Sequence, residues 1–433
     1  MKIAIIGSGI SGLTCGYYLH PNHDITVFEA NDYVGGHTAT VDVEVEGHTY
    51  AVDTGFIVYN DRTYPNFIQL MQEIGVRGRP SQMSFSVRND DNGLEYNGHT
   101  LTTLFAQKRN WLRPQFYRFI FEILRFNRLV KAQAQASQES SLTLGEFLTQ
   151  HEFSDYFCTN YILPMGAAIW SSTLADMRAF PLGFFARFFL NHGLLDVTNR
   201  PQWYVIEGGS REYIAPLTKG FKERIRLNTP VTRVTRDSAG VTIHYVDRSA
   251  TQSEQRQSER FDQVIFACHS DQALAMLADA SESETSVLSH LAYQANEVIL
   301  HTDEALLPTR KAAWASWNYW IEGGDGQHTR APTLTYNMNI LQHIEAPVTF
   351  CVSLNSAQHI EPSKVLRTFN YHHPVFNTES LNAQGRREEV NGQSQTWFCG
   401  AYWYNGFHED GVRSALDVVR GIEALAQTTR GAA

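Results

Sequence analysis

The sequence predicts an α/β fold in which a parallel-sheet unit, assembled from three stretches of chain, carries an inserted α+β unit. Three observations lead there. The first thirty residues read strand, glycine-rich turn, helix, strand. Residues from about 104 to 200 turn helical and rich in Phe, Tyr, Trp and Arg. The last forty return to strand, glycine-rich loop and helix. A chain of 433 residues exceeds a single core, because domains run roughly 100–200 residues. The division implied is 1–75, 203–285 and 386–433 for the sheet unit, with 76–202 and 286–385 forming the insert.

Each element has its own signal. Residues 2–6 are apolar and short, as a buried strand is. Ile10, Leu13, Thr14, Tyr17 and Tyr18 follow at helical spacing, stopped by His20-Pro21-Asn22, and Ile25–Glu29 is the second strand. Residues 41–52 alternate around Glu46-Gly47, which predicts a hairpin. Ile225–Leu227, Val231–Arg236, Val241–Val246 and Phe261–Ala267 read as strands, Ser249–Arg260 and Ser281–Ser286 as loops. Residues 293–385 read as β-rich, Thr396–Cys399 as strand, and about Gly411–Gln427 as helix.

Bulk properties narrow the classes of function. The net charge of −10 argues against a nucleic-acid partner. No run of 18 apolar residues exists to span a bilayer. Five scattered cysteines without a CxxC pair suit a reducing compartment better than a disulfide or zinc framework. Glycines interrupt the apolar N-terminus, so a cytoplasmic protein without a signal peptide is expected. His343, His359, His372 and His373 lack metal-ligand spacing, and no metal is expected.

Gly7-Ser8-Gly9-Ile10-Ser11-Gly12 is a GxGxxG set between a strand and a helix, the context that makes this pattern specific. Gly7 permits the tight turn, Gly9 lets a pyrophosphate approach the backbone, and Gly12 lets helix and strand pack closely. Amides around Ser11 open the helix and offer free N–H groups to phosphate. Glu29 stands 17 residues beyond Gly12, where an acid accepts ribose hydroxyls. A Rossmann-like dinucleotide site is expected.

The residues that follow carry a resemblance. Glu29-Ala30, Gly35-Gly36-His37-Thr38, Asp53-Thr54-Gly55-Phe56, Glu207-Gly208-Gly209, Thr229-Pro230-Val231 and Val264–Ala267 occur in order. So do Phe398-Cys399-Gly400 and Gly406–Val412 near the end. Together they resemble the flavin amine oxidase, protoporphyrinogen oxidase and phytoene desaturase superfamily, at both ends and in the middle of the chain. The resemblance implies FAD as cofactor and an amine-oxidase-like architecture. It implies that Ala30, Gly36, His37 and Thr38 lie along the pyrophosphate, and that Gly55 and Phe56 pass near the flavin. It also implies that Val231 contacts adenine, that Ala267 ends a strand beneath the cofactor, and that Gly400, Gly411 and Val412 bring the last helix to the flavin. A finer likeness, in Leu163–Ser171, Trp314–Tyr319 and Tyr371–Phe376, is to a bacterial group of NAD/FAD-binding proteins associated with cyclopropane, furan and other modified fatty-acid pathways.

Two departures matter. His37 stands where the amine oxidases usually carry arginine, which weakens one phosphate contact and adds some pH dependence. Glu297 aligns with the lysine that many of them hold against the flavin, so an amine substrate is disfavoured.

The insert bears on the substrate. Residues 105–131 hold seven cations, Lys108 to Lys131, against one acid, Glu122, with seven aromatics interleaved. A peripheral contact with an anionic membrane explains this; so does a core-facing helix with a solvated basic side. Residues 183–195 read equally as tunnel lining or plain core. A greasy cavity by the flavin favours a long-chain lipid, with hydride passing to the flavin and a base taking the proton. His408 and Glu409 are the candidate base and orienter; the plainer reading is that one packs and the other holds a loop. Without a second fingerprint, no NAD(P)H site is expected. Competing readings are a double-bond isomerase or hydratase, an amine oxidase, and a non-catalytic flavin-bearing binding protein. The oligomeric state stays open.

Overall fold

The structure, a computed structural model, describes residues 1–135, 142–248, 255–324 and 332–431. Five parallel strands form the first sheet, in the order Ile225–Arg226, Asp24–Phe28, Lys2–Ile6, Gln263–Phe266, Thr396–Phe398. Nearly every residue in its central strands is buried, because both faces are covered. Strand alternation decides what covers them. Ile3 and Ile5 face the first helix (Ile10–Leu19) and the closing helix (His408–Gly431), while Ala4 and Ile6 face Val241, Ile243 and Phe261. Those three belong to an antiparallel sheet of Val231–Asp237, Gly240–Asp247 and Gln255–Phe261.

The second large sheet has seven strands, ordered Val365–Pro374, Tyr293–His301, Cys351–Leu354, Thr333–Asn337, Trp317–Ile321, Phe85–Asn89, Leu94–Asn97. It therefore joins two pieces of chain far apart in sequence. Helices Pro114–Gln135, Leu163–Trp170 and Leu182–Asn191 pack over part of it through an aromatic core. The hairpin of Thr40–Val45 and His48–Asp53 turns at Glu46 and Gly47, both with positive φ (51° and 78°). That is the turn whose twist matches its strands.

Three expectations need correction. Within the segment read as the loop Ser249–Arg260, residues 249–254 lie outside the described residues, and Gln255–Phe261 is a strand. It is a sheet edge, exposed on both sides, so its polar composition hides it. Ser281–Ser286 is not a loop: Glu282–Leu288 is a helix, capped by Ser281, whose hydroxyl accepts from the Glu284 amide while Glu284 accepts from the Ser281 amide. The closing helix starts at His408, three residues earlier than expected, because the Asp410 carboxylate accepts from the Phe407 amide. Among the described residues no helix is long and apolar enough to cross a membrane.

Candidate functional site

The glycine turn lies between the first strand and the first helix. Gly7 has φ 106°, and a Cβ there would meet the Ala267 carbonyl at 2.8 Å; one on Gly12 would lie 2.0 Å from the Gly7 carbonyl. Both glycines are therefore required by the protein itself. Gly9 is different, because a Cβ on it would meet nothing within 4 Å. The space beside Gly9 opens at the helix N-terminus, where no side chain caps the free amides. Gly36 faces it, close enough that a Cβ there would come 3.1 Å from the Gly9 Cα, and Gly9 and Gly35 form a parallel bridge. Two glycine loops thus flank a strip of backbone amides, which suits a diphosphate.

Glu29 lies one residue past the second strand, which ends at Phe28. One carboxylate oxygen accepts from the Ser8 amide (2.9 Å) and hydroxyl (2.6 Å), the other from the amide and side chain of Asn31 (both 2.9 Å). It thereby fixes the turn. Ala30 follows it on the exposed rim. Ser11 donates to the Gly411 carbonyl at 3.0 Å, tying the first helix to the closing helix. Gly411 is itself required, since a Cβ there would crowd Ile10 at 2.8 Å. Val412 is fully buried among core residues, so only its backbone is left to meet a ligand. Gly400 donates its amide to Ser414 (2.9 Å). Val231 begins its strand beside Thr229, whose amide donates to the Glu29 carbonyl (2.8 Å), which brings the start of this strand close to Glu29.

Asp53 clips the site together from inside. Fully buried, it accepts from the Thr40 hydroxyl, the Ser210 amide and hydroxyl, and the Gln342 side chain at 2.6–3.0 Å. Burial pushes its carboxyl up to about 6. Behind it, a Cβ on Gly55 would lie 2.0 Å from the His37 carbonyl, so the two loops touch along their backbones.

Phe56 stacks flat on His408, with ring centroids 3.7 Å apart. His408 Nε2 is 2.7 Å from the Tyr213 hydroxyl, which also hydrogen-bonds Thr38. Burial, then the nearby His37, pushes His408 down to about 3; at neutral pH the imidazole is uncharged. Glu409 turns elsewhere. It accepts from the Asn66 amide (3.2 Å) and side chain (2.6 Å) and from the Phe67 amide (2.8 Å), capping the helix Pro65–Glu73. The orienting partner of His408 in this geometry is Tyr213, while Glu409 holds a helix end.

Opposite lies a group of imidazoles that the sequence did not bring together. His37 stands 6.0 Å from His373 and 6.2 Å from His269, and His269 stands 5.9 Å from His372. Burial lowers His269 to about 4 and His373 to about 3, and also lowers His37. His373 Nδ1 is 3.0 Å from the Ser171 hydroxyl and 3.2 Å from the Asn296 side chain. His37 Nε2 is buried with no partner. That orphaned polar atom, on the loop whose Gly36 faces Gly9, suits a polar ligand group. The residues fit FAD. Among the described residues no group of three His, Cys, Asp or Glu is placed to hold a metal.

Glu297, aligned with the lysine position, lies on the strand Tyr293–His301. Glu297 is exposed, whereas Asn296 is fully buried and reaches His373. A one-residue shift flips a strand's side chains to the other face.

The aromatic insert meets this site at Phe407. Phe188 stacks against Phe407 (5.1 Å) and Trp170 lies 4.9 Å from Phe188, while Phe184 stacks on Phe376 (5.4 Å). Phe185 and Phe189 stack on each other (4.0 Å), and Phe185 also faces Phe126 of the helix Pro114–Gln135. The helix Leu182–Asn191 is thus plain core on one side and faces the site on the other.

Known proteins resemble this chain in sequence and in fold. A family model described as flavin containing amine oxidoreductase matches residues 10–341. The 15-cis-phytoene desaturase of Synechococcus elongatus is 35% identical over 88 residues, 20% of this chain and 18% of that protein. A Mycobacterium tuberculosis protein named "Putative flavin-containing monoamine oxidase AofH" is 26% identical over 264 residues, 56% of this chain and 53% of its own. This chain thus matches under two thirds of either relative's length. Among solved structures, cyclohexylamine oxidase from Brevibacterium oxydans superposes with a TM-score of 0.69 at 15% identity, covering 98% of this chain and 99% of that one. A CLA-producing fatty acid isomerase from P. acnes gives 0.67 at 16% identity, covering 96% and 97%. At these identities the structures establish the fold. With the family model spanning most of its length, the chain belongs to the flavin-containing amine oxidoreductases, and its cofactor is FAD.

Proposed function

We propose that this oxidoreductase dehydrogenates a long acyl chain, taking two hydrogens from adjacent carbons to leave a C=C bond. The observation that carries the reading is the aromatic wall of Trp170, Phe188 and Phe407, which runs up to His408. Such a wall takes a long apolar chain and offers no counter-charge to an amine. The inward-facing Asn296 is neutral, and no lysine stands at that strand position. FAD, when bound, supplies the two-electron acceptor for the departing hydride.

The chain's own residues handle the proton and the positioning. His408, uncharged at neutral pH, is the candidate base. Its Nε2 and the hydroxyls of Tyr213 and Thr38 form one hydrogen-bonded chain along which a proton is held or moved. Phe56 fixes the imidazole plane by stacking. The aromatic wall excludes water from the reacting carbons. Gly9, Gly36 and the free amides of the first helix hold the diphosphate; Glu29 holds the ribose; Val231 meets the adenine by its backbone.

A second reading is supported by the fold shared with a fatty acid isomerase: the same site could shift a double bond with no net oxidation. Two measurements separate these. Lipids extracted from cells with and without the gene should differ by two hydrogens per acyl chain; an unchanged acyl profile beside altered amines overturns the lipid reading. Mixed anaerobically with extracted acyl lipid, the flavin should bleach in proportion to product. Product without bleaching selects the isomerase.

A further inference from the structure

We propose that the face formed by the turn Lys108–Leu112 and the helix Pro114–Gln135 docks on a bilayer containing anionic phospholipid. The helix has two apolar sides where a core helix needs one. Phe116, Phe119, Phe126 and Val130 are buried in the insert's core. That accounts for the packed side and leaves Tyr117, Phe121 and Leu124 on the outside, with Phe121 65% and Leu124 50% exposed. Tyr117, Phe121, Leu124 and Arg128 follow at spacings of four, three and four, which places them on one face.

The turn before the helix extends this face. Leu112 is 89% and Trp111 55% exposed. Trp111 does not hang loose: it stacks on Phe105 at 4.0 Å, and the Tyr117 hydroxyl donates to its carbonyl at 3.0 Å. Val197, 66% exposed, borders the same groove as Leu124 and Arg128. Seven of the ten exposed large hydrophobic residues among the described ones are Val197 and the six between Leu101 and Leu124. Scattered exposed apolar residues need no explanation, but this contiguity does.

Charge names the occupant. Arg128 is exposed on this face and Lys108 and Arg113 are exposed in and beside its turn, and no ion pair engages them among the described residues. The one acid of the helix, Glu122, is buried and accepts from Ser154 at 2.6 Å. In a chain of net charge −10 a basic, aromatic, apolar face is out of character with the remaining surface. Anionic headgroups meet the cations while Leu112, Trp111 and Phe121 enter the acyl boundary. The rest of the surface is repelled, which sets the orientation. This inference stands apart from the acyl-substrate reading, because its test measures mass on lipid and not turnover.

The test is co-sedimentation of the flavin-loaded protein with vesicles of phosphatidylcholine, and with vesicles in which phosphatidylglycerol replaces part of it. Binding is expected on the second and not the first, and it should weaken as salt is raised. L112S/F121S, which alters only exposed side chains, should lose roughly tenfold in partition. R113E/R128E should lose roughly tenfold or more, and with it the preference for anionic lipid. Melting temperature and flavin content, measured alongside, should not change in either variant. No binding to anionic vesicles overturns the proposal, and so does equal binding by wild type and variants. If the wild type sediments as a dimer that L112S/F121S dissociates, the face belongs to a second copy of the chain and the proposal fails.

Discussion

The cofactor cradle and the aromatic wall lie next to each other and are held by opposite kinds of interaction. In the cradle, buried carboxylates saturate with directed bonds: Glu29 receives four and Asp53 four from distant segments. Glycines are fixed there by contacts of backbone on backbone. In the wall, Trp170, Phe184, Phe188 and Phe376 meet ring to ring, and Trp170 Nε1 has no partner. Directed bonds specify one geometry and one ligand. Stacked rings supply cohesion and shape while tolerating substitution of similar volume. The prediction from this contrast is that damage to the cradle costs the cofactor, and damage to the wall costs stability.

Gly9→Val tests the first half and carries the largest effect. A Cβ at this position meets no protein atom within 4 Å, so the melting temperature of the apoprotein should hold. The same side chain fills the diphosphate strip. Flavin affinity should fall on the order of a thousandfold, about 4 kcal/mol. A yellow Gly9→Val protein would show that this turn does not hold the cofactor.

Phe188→Ala tests the second half. Phe188 is buried, stacked on His192 at 3.9 Å and on Phe407 at 5.1 Å. Truncation should destabilise by about 3–5 kcal/mol while flavin stoichiometry stays at one per chain. Should both variants lose flavin and stability together, cradle and wall are one cooperative unit and the contrast fails.

The same contrast explains what the sequence disclosed. The glycine turn, Glu29 and the Glu46-Gly47 hairpin were legible because each is a local conformational demand answered by residue type. The capping box at Ser281 was equally local and went unread amid polar residues. The edge strand Gln255–Phe261 gave no signal, because it is exposed on both faces and so has no alternation to display. The histidine group was illegible for a different reason. His37, His269 and His373 come from a turn, a helix start and a strand, each more than a hundred residues from the next, and Tyr213 reaches His408 across 195 residues. Asn296 and Glu297 show the remaining limit: alignment located the strand, but only the pleat tells which neighbour points inward.

Acid and base titration should separate the two regions again, with a smaller effect. Burial lowers His192 in the wall to about 4 and His373 to about 3. The unfolded chain binds those protons first, so these groups stabilise the fold above the ordinary histidine range and destabilise it as pH falls towards 4. Asp53, raised to about 6, and Asp410, raised to about 7 by burial, carry the opposite sign. Their contribution is full below the ordinary carboxylate range and is lost as pH rises through 6 and 7. Both changes fall between about pH 4 and 7 and oppose each other, so single variants separate them in denaturant melts of the apoprotein. His192→Phe should reduce the loss of stability as pH falls through that window, and Asp410→Asn the loss as pH rises through it, each by on the order of 2 kcal/mol. Variant profiles parallel to that of the wild type would remove both assignments.

The smallest effect concerns His37, where burial keeps the imidazole uncharged at neutral pH although it stands beside Gly36 and the diphosphate strip. An anion arriving there favours the protonated form. Binding of FAD should then tighten as pH falls from about 8 to 6, on the order of threefold per pH unit, read by quenching of flavin fluorescence. His37→Arg carries its charge at every pH and should bind at least as tightly with no slope. If the slope survives that substitution, the proton is taken by His269 or His373 across the cluster, and His37 serves only to pack between the two loops.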